Sequence, residues 1–230
     1  MGNINASYEN VDLNIIFDIA LSGVKVVENK IYGPVYPRLV KKYVMQFFCN
    51  KLNLKTPEGS EDWDWPQIKE YLDKNLEGYP YGYIAFPYAM AKTESTLQGK
   101  TGIANRISIN EIIKSMKQRV TDVQQAEVID FINCFKQAIE KVVALKVMPP
   151  NANYIVEDEK TIKLEVNNCV YKDVCEAFIK ESVLKYDGSP VCSIGRMILT
   201  YIELDLGPDL DYMLEKFANP NCNIRIMKTV

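Results

Sequence analysis

Six cysteines and no histidine bound the chemistry open to this 230-residue chain. Without histidine there is no Ser–His or Cys–His catalytic pair, no His-held haem and no His-containing zinc motif. Any reactive chemistry would run on Cys, Asp, Glu, Lys or Tyr. The most telling thiol is Cys192, in the stretch "SPVCSIGRM" at 189–197. A cysteine in the first turn of a helix meets the positive end of the macrodipole, which lowers its pKa and favours a nucleophile. Such a nucleophile also needs a base, and Arg196, one turn on, offers charge but cannot accept a proton. Free cysteine equally packs as a small hydrophobe, and Gly195 marks a place where two elements can approach closely. Packed thiol, metal ligand and nucleophile therefore stand side by side as readings of Cys192.

Other motifs remove whole classes of function. Gly99-Lys100-Thr101 looks like the end of a phosphate loop, but Glu94 stands where that motif needs glycine. No glycine-rich dinucleotide fingerprint occurs. The net charge is -3, and the densest basic cluster is "VKK" at 40–42, so nucleic acid is not an expected partner. No apolar run approaches the ~20 residues that span a bilayer. The stretch "MGNINASYEN" has neither a basic nor an apolar signal region. The cysteines suit reduced thiols better than a disulfide framework. A cytoplasmic protein with no membrane association is expected.

The elements that must position these residues follow from periodicity. Amphipathic helices are predicted over 9–21 and 37–52, and a shorter one from near Pro66. Trp63 and Trp65 are expected to clamp the loop before it. The segment with Tyr79, Tyr81, Tyr83, Phe86 and Tyr88 carries too much Gly and Pro for a regular element, so an irregular loop or edge strand whose aromatics cover the core is expected, with the lining of a pocket for a flat apolar ligand as the alternative, then a polar loop at "ESTLQGKTG". Ser108 and Glu111 form a capping box. From 121 to about 146 a helix is predicted, with Val128, Phe131, Ile132, Phe135, Ala138, Ile139, Val142 and Leu145 in one stripe. That stripe suits a core or a symmetry mate. Pro149-Pro150 ends the helix and marks the expected boundary between 1–150, mainly helical, and 151–230. Beyond it the period switches. Alternation flanks "EDEK" at 157–160, two helical stretches are split by "DGSP", and a second hairpin turns at "NPN". The fold class is therefore α+β: a helical part, then a β-β-α-α-β-β antiparallel sheet with helices on one face.

Four cysteines fall in this last segment, Cys169, Cys175, Cys192 and Cys222. Together with "NNC" at the end of a strand, "PVCSIGRMI" opening the second helix and the closing "PNCNIRI", they give residues 150–230 a likeness to a known module. The segment resembles the 4-vinyl-reductase-like domain, a small-molecule-binding module whose fold also occurs in transport protein particle subunits. The resemblance implies a cavity between sheet and helices for a hydrophobic or aromatic molecule. It also implies dimerisation through preceding helices and, in the sensor branch, zinc held by a helix cysteine and by E-x-x-C-x7-C on the last hairpin. Cys192 and Cys222 match the outer cysteines of that set. Leu214 stands where the middle cysteine would be and Asp211 where the glutamate would be, with Glu215 the substitute in a shifted register.

The expected function is non-enzymatic binding of a small apolar molecule by a homodimer. Helical spacing makes Phe178, Ile194, Met197, Ile198 and Tyr201 the lining. Cys192, Cys222 and Glu215, with Asp211 as the alternative, would form the zinc site. The competing expectations are a regulator whose helical part contacts DNA or a partner, and a thiol- or metal-dependent enzyme using Cys192.

Overall fold

The computed structural model describes residues 13–76, 81–102, 106–107, 110, 130–144, 152–206, 209–217 and 221–229. The chain divides into two compact units, Met1–Ile112 and Ile113–Val230.

The first unit is helical. Helix α1 (Leu13–Val27) runs into a π-turn over Glu28–Tyr32, closed where Gly33, at φ 63°, donates its N–H to Glu28 O at 2.8 Å. Helix α2 (Val35–Lys51) follows and buries Tyr36, Val40, Val44 and Phe48. Helix α3 (Trp65–Asn75) starts as its sequence dictates. Asp64 accepts the Gln67 N–H and Gln67 returns the bond to the Asp64 N–H, both at 2.8 Å. Trp63 packs edge-on against Tyr71, and the Trp65 ring lies 6.4 Å from Phe17 and 5.6 Å from Phe86. The loop is clamped as expected.

The aromatic segment departs from expectation. Residues Tyr81–Gln98 form one helix, α4, with Pro87 inside it. An interior proline removes a hydrogen bond and costs about 3 kcal/mol. Here the packing of Phe86 on Phe17 and Trp65, and of Tyr88 on Phe47, offsets that cost. The "ESTLQ" stretch is helix rather than loop; Gly99, at φ 78°, ends it by donating to Ser95 O. Glu94 is fully buried in α4 and accepts the Gly102 N–H at 2.9 Å. Tyr79, Ser108, Glu111, the start of the 121–146 helix and Pro149-Pro150 lie outside the described residues.

The second unit carries the sheet. Helix α5 (Phe131–Ala144) precedes strands β1 (Asn153–Val156) and β2 (Thr161–Asn167). Helices α6 (Lys172–Lys180) and α7 (Ser193–Leu206) follow, then β3 (Leu210–Phe217) and β4 (Asn221–Lys228). All pairs are antiparallel in the order β1-β2-β4-β3. Alternation sets Ile162, Leu164 and Val166 of β2 and Cys222, Ile224 and Ile226 of β4 on one buried face. The expected α+β architecture is present. Phe131, Cys134, Phe135, Ala138 and Val142 of α5 are buried within this unit, where α5 packs along α7. The dividing point thus falls near residue 112 rather than 150, because the predicted stripe is used as core by the sheet-bearing unit. Among the described residues, no helix is long and apolar enough to cross a membrane.

Candidate functional site

The site is built where α7 begins. Cys192 is its N-cap: its carbonyl accepts the Arg196 N–H at 3.0 Å, and its Sγ accepts the Gly195 N–H at 3.4 Å. The Cys192 N–H in turn donates to Tyr212 Oη at 3.3 Å, which ties the head of the helix to β3. The approach is close because residue 195 is glycine. A Cβ there would lie 2.7 Å from Tyr212 Cδ2 and 3.2 Å from Ile224 Cγ2. The reading of Gly195 as a close-approach marker is correct.

Burial decides the state of the thiol. Desolvation pushes Cys192 up to about 12, with the nearby Cys222 adding to it. The N–H groups of Gly195 and Ile194 and the charge of Lys185 pull the other way and lose. Cys175 is raised well above the ordinary thiol value, by burial first and then by Cys192, Cys169 and Cys222. Cys169 is raised for the same reasons. Cys222 acts on all three, so the four cysteines share one neighbourhood, in which Cys169, Cys175 and Cys192 are kept as neutral thiols. Tyr212 is likewise kept a phenol, by burial first and by Cys192 second.

The expected zinc set is not brought together. Cys222 faces the inner side of β4, opposite Phe217. Glu215 lies at the irregularity between Leu214 and Lys216 and turns to the outer side, where it bonds Arg225 Nε at 2.5 Å and Lys163 Nζ at 3.4 Å. Asp211 is held by Lys185 at 3.0 Å. A thiol on the inner face of the sheet cannot share a small ion with a carboxylate turned to its outer face. Among the described residues, no three His, Cys, Asp or Glu side chains are placed to hold a metal ion.

The five predicted lining residues fall on α6 and α7. Phe178, Ile194 and Ile198 are fully buried, Tyr201 is nearly so, and Met197 is half-buried. The Tyr201 ring also lies under Lys141 Nζ, 5.3 Å from its centroid. Along the same helix, Arg196 donates to Thr200 Oγ1 at 3.1 Å and to Glu203 Oε2, a charged pair almost wholly out of water.

Sequence reasoning missed Lys185 and Tyr212. Lys185 bonds the Tyr212 carbonyl, Asp211 and Asp187, and stands 4.2 Å over the Tyr212 ring. The signal available was the "DGSP" turn. Desolvation tends to raise the Asp187 carboxyl, but bonds from the Ser189 hydroxyl and N–H and from Lys185 hold it below the usual carboxylate range. This turn delivers the chain to Cys192. Comparison of the chain with protein-family models, curated proteins and solved structures finds no match.

Proposed function

We propose that the C-terminal unit binds a small apolar or aromatic molecule without transforming it, as part of a cytoplasmic homodimer. The observation that carries this reading is the neutral, sulfur-rich interior at the head of α7. Cys169, Cys175 and Cys192 meet there with pKa values raised by burial, beside buried Cys222, so neither a thiolate nucleophile nor a charged ligand is favoured there. The apolar faces of α6 and α7, through Phe178, Ile194 and Ile198, adjoin it, and half-buried Met197 offers a flexible wall. The β-β-α-α-β-β order and the cysteine positions support kinship with the 4-vinyl-reductase-like domain. Zinc is left out, because Glu215 is turned away from Cys192 and Cys222. Six free cysteines support a reducing compartment.

The test is to denature the purified protein and identify what an organic extract contains by mass spectrometry. Alongside it, the melting temperature is measured against a panel of aromatic hydrocarbons and fatty acids. A released apolar compound, or a saturable rise in melting temperature, is expected. No extracted compound and no shift with any member of the panel would overturn the reading.

A further inference from the structure

The two edges of the sheet are built differently. At one edge β3 carries the irregularity between Leu214 and Lys216 and the charges of Glu215 and Lys216 at it, devices that discourage pairing with another strand. At the other, β1 reads Asn-Tyr-Ile-Val with no charge, proline or bulge, and all four residues are exposed. Tyr154 and Val156 stand opposite Leu164 and Ile162, so they continue the inner apolar face of the sheet. Leu164 and Ile162 are fully buried, yet Tyr154 and Val156 each remain 39% exposed and Ile155, on the outer face, 65%. Phe135 of α5 meets the Tyr154 ring, with centroids 5.3 Å apart.

Glu157 donates its N–H to Thr161 O at 2.9 Å across the hairpin. By the two-residue alternation Ile155 also faces β2, and the N–H and C=O groups of Tyr154 and Val156 point outward from the sheet. Among the described residues no strand lies on that side.

We propose that β1 pairs antiparallel with β1 of a second copy of this chain, about a two-fold axis at Ile155, joining two four-stranded sheets edge to edge. In this register Tyr154 faces Val156 of the mate as a hydrogen-bonded pair, and the pair occurs twice. Ile155 meets its own copy as a non-hydrogen-bonded pair, where side chains come closest. Asn153 falls opposite Glu157 of the mate, an amide donor against a carboxylate already partnered by Arg225 at 3.1 Å. Asp158 falls opposite Ala152. Moving the axis to Val156 brings the two Glu157 residues within two positions of each other, and an axis at Glu157 sets them face to face, so charge favours the axis at Ile155. A second copy fits better than an unrelated extended peptide because the same four-residue segment supplies both halves of the hydrogen bonding and of the apolar contact and brings no like charge to the axis. The apolar stripe of α5, the other sequence candidate for a mate, is already buried in its own unit. A strand this short makes a small interface, and a weak, concentration-dependent dimer is expected.

The test uses the full chain. Ile155→Cys, under mild oxidation at high protein concentration, is expected to give a disulfide-linked dimer on non-reducing gels. Asn153→Cys is not, because its two copies would be displaced by roughly 13 Å along the strands, beyond disulfide reach. In sedimentation velocity the parent chain is expected to dimerise with rising concentration and Ile155→Lys, which opposes two like charges, to remain monomeric. A parent chain that stays monomeric throughout, a dimer undiminished by Ile155→Lys, or equal crosslinking from positions 153 and 155 would overturn the proposal. Should Ile155→Lys fail to fold, the crosslinking pair decides alone.

Discussion

At the scale of single residues, Cys192 shows two opposed effects and which one wins. A helix N-terminus and two backbone N–H groups favour a thiolate, and full burial opposes it more strongly, leaving the thiol at about 12. The helix terminus offers typically 0.3–1 kcal/mol, whereas each pKa unit of desolvation costs about 1.4 kcal/mol. Stability follows with a definite sign. A thiol whose folded pKa is raised contributes stability that is fully present below its unfolded pKa, near 9, and lost as pH rises toward and through about 12. Between those limits the folded state binds more protons than the unfolded one, so unfolding free energy is expected to fall by up to about 1.4 kcal/mol per pH unit for this thiol. Urea titrations from pH 8 to 11 on the parent and on Cys192→Ala measure it. A parent curve no steeper than the variant's would contradict the assignment. Cys192 was legible as a landmark in the sequence, but its protonation state was not, because desolvation comes from residues distant along the chain.

At the scale of elements, helix α7 carries the clearest case. Its apolar period and its start just after the "DGSP" turn were evident, but its distance from the sheet depends on Gly195. Gly195→Ala would gain up to ~1 kcal/mol in helix propensity. It would also press a methyl to 2.7 Å from the Tyr212 ring, which its hydroxyl ties to Cys192 and which Lys185 covers. The ring has no free end to swing aside, so overpacking of about 1–3 kcal/mol is the larger effect. The variant is expected to lose about 1–2 kcal/mol in denaturant unfolding. A stabilised variant would show that the helix can lift from the sheet at no cost. Both hairpins and α6 were readable for the same local reason as α7, a clean period of two or of 3.6. Helix α4 was not. Its local signals, glycine and proline, argue against a helix, and the partners that overrule them, Phe17, Phe47 and Trp65, lie elsewhere in the sequence.

At the scale of the whole molecule, the chain has two cores, one helical and one around the sheet. Both tryptophans, Trp63 and Trp65, belong to the first unit, and Cys169, Cys175, Cys192 and Cys222 belong to the second. Tryptophan fluorescence and pulsed labelling of those thiols therefore report different cores. The two probes are expected to give separate denaturation midpoints, and Gly195→Ala is expected to move only the thiol midpoint. Coincident midpoints that shift together would mean that the units unfold as one.

The sequence by itself determined the absence of histidine chemistry, the α+β layout, the order of the last six elements and the landmark at Cys192. Each of these rests on composition or on a period that repeats within a few residues. Tertiary structure alone decided that α5 belongs with the sheet, that Glu94 sits buried in a helix, and that Glu215 faces away from the thiols it was expected to join. It also decided that Cys192 is held neutral and that β1 is left as an exposed edge. The physical reason is common to all five. Burial, the face of a strand and the dielectric around a thiol are set by contacts between residues far apart in sequence, and no local pattern encodes them.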